Sequence, residues 1–161
     1  MTFKGVLVMK NFTRFYVVLL GLAAFTTGCS GIKSDKAEFG SKALADCPDQ
    51  PNCVSSKARD KSRSIEPFYV KGDPMKVWNA VTGIIAGFPR TTIVKATDRH
   101  LHAECKSRLF GFTDDLELML DASANVIEIR SASRIGYYDF GVNRRRVSGL
   151  RQILKEKNLI R

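Results

Sequence analysis

Between residues 91 and 131 the sequence keeps returning to a two-residue alternation. HLHAECK (100–106) sets Leu101, Ala103 and Cys105 on one side. DLELML (115–120) does the same with Leu116, Leu118 and Leu120, and VIEIRS (126–131) sets Ile127 and Ile129 against Glu128 and Arg130. Successive side chains of an extended chain point to opposite faces, so each segment reads as a strand with one buried face. TTIVKAT (91–97) precedes them, and the connectors are short: Asp98-Arg99, the glycine-aromatic stretch RLFGFTD, and DASAN. Short connectors join sequential strands as antiparallel neighbours. Such a sheet leaves one apolar face to be covered.

Helical signals flank the strands. Asp73-Pro74 supplies an N-cap acceptor followed by proline at the first helical position. Trp78, Val81, Ile85 and Phe88 then form one apolar stripe, which Gly87 and Pro89 stop. Beyond residue 141, Val147, Leu150 and Leu154 mark a closing amphipathic helix. The expected fold is therefore α+β, a four-stranded antiparallel meander covered by an N-terminal and a C-terminal helix. At 161 residues the chain is long enough for one such domain.

The first thirty residues address location. A positive start is followed by the apolar run FYVVLLGLAAF (15–25) and then by small residues, the layout of a secretory signal. The apolar run is too short to span a bilayer comfortably. Thr26-Thr27-Gly28-Cys29 resembles the lipobox of bacterial lipoproteins, although Thr26 stands where leucine is usual. The expected organisation is a signal peptide over 1–28, a lipid-anchored tether over 29–45 and one α+β domain over 46–161. Cys29 would carry acyl chains, each buried methylene contributing ~0.8 kcal/mol to membrane attachment. Ser30 after the cysteine points to the outer membrane of a bacterial envelope, with the domain facing the periplasm. The net charge of +10 favours anionic partners such as phospholipid headgroups. It would suit nucleic acid as well, but an exported chain does not meet it.

An oxidising compartment gives CPDQPNC (47–53) a plain reading, a small disulfide loop between Cys47 and Cys53 adding roughly 2 kcal/mol. Zinc is disfavoured because the spacing is wrong and no second pair follows. Cys105 reads as a buried thiol. His100 and His102 share a strand face, which reads as a polar face and not as a metal site. The motifs call for no cofactor and no metal.

Residues 130–146, RSASRIGYYDFGVNRRR, hold five arginines and one acid. One reading is an anion site. Arg130 and Arg134 would offer guanidinium forks, Ser131 and Ser133 hydroxyls, and Tyr137 a wall. Asp139 or Asn143 would begin the last helix, whose free N–H groups favour an anion. The other reading is internal pairing of the arginines with Asp114, Asp115, Glu117, Glu128 and Asp139, with Gly136 and Gly141 turning the chain from strand to helix. Arg144, Arg145 and Arg146 are consecutive, so they fan around a helix and cannot share one ligand. Catalytic motifs are absent. Asp139-Phe140-Gly141 lacks the rest of a kinase, Asp114 and Asp115 point to opposite faces, and no nucleophile elbow surrounds Ser133.

CPDQPNCVSS, the helix carrying Val77-Trp78, FPRTTIV, GFTDDLEL and above all IRSASRIGYYDFGVNRRRV resemble the domain of unknown function 1499 family over about residues 46–157. The resemblance implies a small, often secreted or membrane-associated domain and no particular activity. Function is accordingly expected to be noncatalytic, an envelope module binding an anionic or amphipathic ligand. The alternatives are an assembly lipoprotein docking onto another envelope protein and, less favoured, a hydrolase.

Overall fold

A computed structural model describes residues 43–161; the expected signal peptide over 1–28, Cys29 and residues 29–42 of the expected tether lie outside the described residues. The elements run in the order β1 (Cys53–Ser55), β2 (Phe68–Tyr69), α1 (Pro74–Ala86), β3 (Thr91–Ala96), β4 (His100–Lys106), β5 (Thr113–Asp121), β6 (Val126–Ser133) and α2 (Val142–Glu156). β3 to β6 form the expected antiparallel meander. The sheet nevertheless has six strands, in the order β1-β6-β5-β4-β3 with β2 also on β6.

The four-stranded expectation is thus corrected. β1 pairs Cys53 with Ala132 and Ser55 with Arg130, while β2 pairs Phe68 with Ile127, so two short strands share the outer edge of β6. Segments of three and two residues are too short for alternation to show. β5 and β6 also run further toward the loop end than their apolar alternation, because Asp114 pairs with Ser133 in register.

Both helices cover the same face. Trp78, Val81 and Ile85 of α1 and Val147, Leu150 and Leu154 of α2 join Leu101, Leu116, Leu118, Ile127 and Ile129 in one buried cluster. Asp73 caps α1, its side chain accepting from the Lys76 amide at 2.9 Å. The Trp78 indole donates to the Thr97 carbonyl at 2.9 Å, which pins the helix to the β3–β4 turn. Cys47 and Cys53 are bridged, and Cys105 is free and buried on the covered face. Burial in apolar surroundings raises the Cys105 thiol above its ordinary pKa, which suits an inert core group.

Candidate functional site

Alternation along β6 divides the arginine motif between the two faces of the sheet. On the helix-covered face Ser131 donates to Asn143 Oδ1 at 2.7 Å. The Asn143 amide donates to the Asn52 carbonyl at 2.9 Å and to Ser133 Oγ at 3.0 Å. Arg146 reaches into the same group, donating to Ser131 Oγ at 2.9 Å and to Asn143 Oδ1. Its second nitrogen meets Asp114 Oδ2 at 2.6 Å. Ser131 and Asn143 are fully buried, and Asp114 nearly so. Partners on several sides make this cluster a polar joint that fixes where α2 sits on β6.

The opposite face holds the other arginines. Arg130 meets Glu117 at 2.7 Å, with both side chains largely buried. Arg134 grips Asp115 through Nε and Nη2 and reaches Glu104 at 2.6 Å. His102 Nε2 lies 2.7 Å from the same Asp115 carboxylate. Burial alone would raise the Asp115 carboxyl, but hydrogen bonds from His102 and Arg134 outweigh it and hold the pKa at about 2. The bond to Asp115 likewise raises Arg134 above the usual arginine range. His100 shares this face, and burial lowers its pKa.

The expected anion site is not assembled by this geometry. Arg130 and Arg134 point away from the helices, whereas Ser131 and Ser133 lie under α2 and meet its Asn143 there. The start of α2 is also occupied, because Asp139 accepts from the amides of Gly141 (2.8 Å) and Asn143 (2.9 Å). That carboxylate takes the place a ligand anion would hold. Gly136 and Gly141 have φ of 94° and 76°, the left-handed turns that carry the chain from strand into helix. Ser133 and the two histidines lie on opposite faces of the sheet, so they make no nucleophile–base pair. Among the described residues no group of three or more His, Cys, Asp or Glu could hold a metal ion.

Two participants went unseen in the sequence. Arg144, Arg145 and Arg146 fan around the helix, and that spacing alone does not single out Arg146 as the one turned inward. Yet Asn143, Val147, Leu150 and Leu154 fall on one helical stripe, and Arg146 is three residues after Asn143 and four before Leu150. Asn52 belongs to the disulfide loop, and nothing local signals that its carbonyl would receive both the Ser133 amide and the Asn143 side chain.

Besides Arg134, Arg144 and Arg145, the motif leaves large apolar side chains exposed. Between β6 and α2, Ile135, Tyr137, Tyr138 and Phe140 are exposed, and between β4 and β5 so are Leu109, Phe110 and Phe112. All seven have fractional exposures between 49% and 80%. The two loops leave the same end of the sheet, where the Arg134 amide donates to the Thr113 carbonyl at 3.2 Å. Phe110 stacks on Phe112 with centroids 5.5 Å apart, and Tyr138 meets Phe140 edge-on at 5.3 Å. A depression of about 270 Å³ beside Tyr138 has Cys53, Arg63 and Arg144 in its wall. Its cations are already engaged, Arg144 by the carbonyls of Ser62 and Ser64 and Arg63 by Asp60 and the Pro48 carbonyl.

A family model described as "Protein of unknown function (DUF1499)" matches residues 43–154, nearly the whole described domain. No curated protein and no solved structure matches the chain.

Proposed function

The chain belongs to this family of proteins of unknown function, and from that premise we propose a noncatalytic envelope lipoprotein, anchored at Cys29 and facing the periplasm at the outer membrane. Its domain binds an amphipathic partner through the apolar rim formed by the β4–β5 and β6–α2 loops. One observation carries the reading: the polar groups of the motif are consumed internally, while seven large apolar side chains stand exposed at one end. Large apolar side chains exposed at one end of a domain mark interaction sites. Arg130 and Arg134 then serve the scaffold that presents the loops and not the ligand itself.

Native mass spectrometry of the full chain, extracted from its own envelope, tests this reading. A bound amphipath that disappears in a Phe110→Ser, Tyr137→Ser double variant supports it. A stoichiometric protein lost in the same variant favours the assembly role, and identical spectra for the two proteins end the proposal. Intact mass tests the anchor separately: wild type should carry an acyl increment that Cys29→Ser lacks.

A further inference from the structure

We infer that the apolar rim docks into the interface of an anionic bilayer, giving the domain a membrane contact of its own beside its tether. The inference rests on the binding reading above and names its partner. Three features select a bilayer over an enclosed small molecule or a protein.

The first is shape. Leu109, Phe110, Tyr137 and Phe140 are each more than 70% exposed, so they are projecting tips and not the walls of a pocket. A site for a small amphipath buries most of its ligand in a concavity. Tips on two adjacent strand connections, held side by side by the Arg134–Thr113 bond, can instead be covered together by a yielding surface.

The second is side-chain type. The rim combines Phe, Leu and Ile with two tyrosines, whose amphipathic rings suit the headgroup boundary.

The third is charge. Residues 106–112 contain Lys106 and Arg108 and no acid. Between 134 and 146 the single acid is Asp139, and both of its oxygens are occupied in starting α2. Arg134 and Arg146 are neutralised by Asp115, Glu104 and Asp114. Arg144 and Arg145, however, donate to backbone carbonyls, so among the described residues they keep a net positive charge beside the apolar tips together with Lys106 and Arg108. A negative surface attracts each nearby Lys or Arg strongly enough to change docking about fivefold.

The full, acylated chain is tested in vesicles whose acyl chains carry bromine, a contact quencher of tryptophan. The protein has a single tryptophan, Trp78, which is 2% exposed and serves as an internal reference that should stay bright. Tryptophan is introduced as Phe110→Trp and, separately, Tyr137→Trp, two positions on different loops that make no core contact. In phosphatidylglycerol-containing vesicles both should be quenched well beyond wild type, and in pure phosphatidylcholine much less. Adding Lys106→Gln and Arg108→Gln, which removes two positive charges, should weaken docking by about 25-fold.

Equal quenching in charged and neutral vesicles would overturn the electrostatic argument. No quenching at either position would overturn the inference. The binding reading survives that failure if the Phe110→Ser, Tyr137→Ser protein still loses a co-purifying amphipath, and falls with it if nothing is lost.

Discussion

Two clusters built from the same seventeen-residue motif stand back to back on β6. They use the same chemistry, arginine against carboxylate, under different solvation. Arg146 and Asp114 meet beneath α2 with side-chain exposures of 14% and 6%, and the serine and asparagine partners around them are fully buried. Arg134, on the other face, is 41% exposed and shares its charge between two carboxylates. Removing a charge from water costs far more than the attraction returns unless further hydrogen bonds complete the shell. The covered cluster has those bonds, which makes it specific in geometry and intolerant of loss. The open one is held more loosely and responds to pH and salt.

The comparison breaks most visibly at Arg146. Arg146→Ala should destabilise the domain by about 3–5 kcal/mol in urea unfolding, because Asp114 is left charged and unpaired under the helix. Replacing both partners, Arg146→Met with Asp114→Leu, should recover a large part of that loss. If the double variant is as unstable as the single one, the cluster acts mainly through its serine and asparagine bonds. Arg130→Ala should follow at about 2–3 kcal/mol, since Glu117 is 5% exposed and would lose its cation. Stability that fell equally for Arg130 and Arg134 would erase the distinction between sealed and open pairs.

Much of this fold is legible in the sequence, and the remainder is hidden for identifiable reasons. Long alternating segments such as HLHAECK fix their own strand identity, and β4 runs from His100 to Lys106 as the pattern implies. The Asp73-Pro74 start and the Cys47–Cys53 loop are likewise local signals with local consequences. β1 and β2 become strands only because β6 offers an edge to pair with, and nothing within three residues records that. The site is less legible still. Alternation correctly turns Arg130 away from the core, but where Arg134 points depends on how far β6 extends, which Asp114–Ser133 pairing decides. Arg146 is not singled out by its place in a run of three cations, which fan around a helix. Its burial follows from the position of Asn143, a polar residue occupying an apolar stripe.

A third test uses acid. The Asp115 pKa falls from 3.8 to about 2 on folding, so its contribution is fully present above pH 3.8 and is lost as pH drops through about 2. The corresponding stability is about 2 kcal/mol. Asp115→Asn should flatten the acid limb of stability between those pH values and lower the neutral plateau by about the same 2 kcal/mol. An unchanged limb would assign acid sensitivity to another carboxylate. Arg134→Ala comes next in size, at about 1 kcal/mol at neutral pH, the range for a largely hydrated pair. It should also shift the acid limb upward, because Asp115 then keeps only His102 as a partner holding it ionised.

The smallest effect is expected at Arg145, and its smallness is informative. Its guanidinium donates to the Phe140 carbonyl at 2.8 Å on the exposed side of α2, and among the described residues it meets no carboxylate. A cation in the opening turns of a helix also opposes the positive end of the helix dipole, so removing it relieves about as much as the hydrogen bond contributed. Arg145→Ala should therefore leave unfolding free energy within about 0.5 kcal/mol of wild type. Its neighbour Arg146, one residue along the same helix, is expected to cost several times more. A one-residue step rotates a side chain by about 100° around the helix axis, enough to move it from solvent to the sealed joint. Equal losses at 145 and 146 would mean that α2 is rotated relative to β6, and the assignment of Asn143 and Arg146 to the covered face would fail with it.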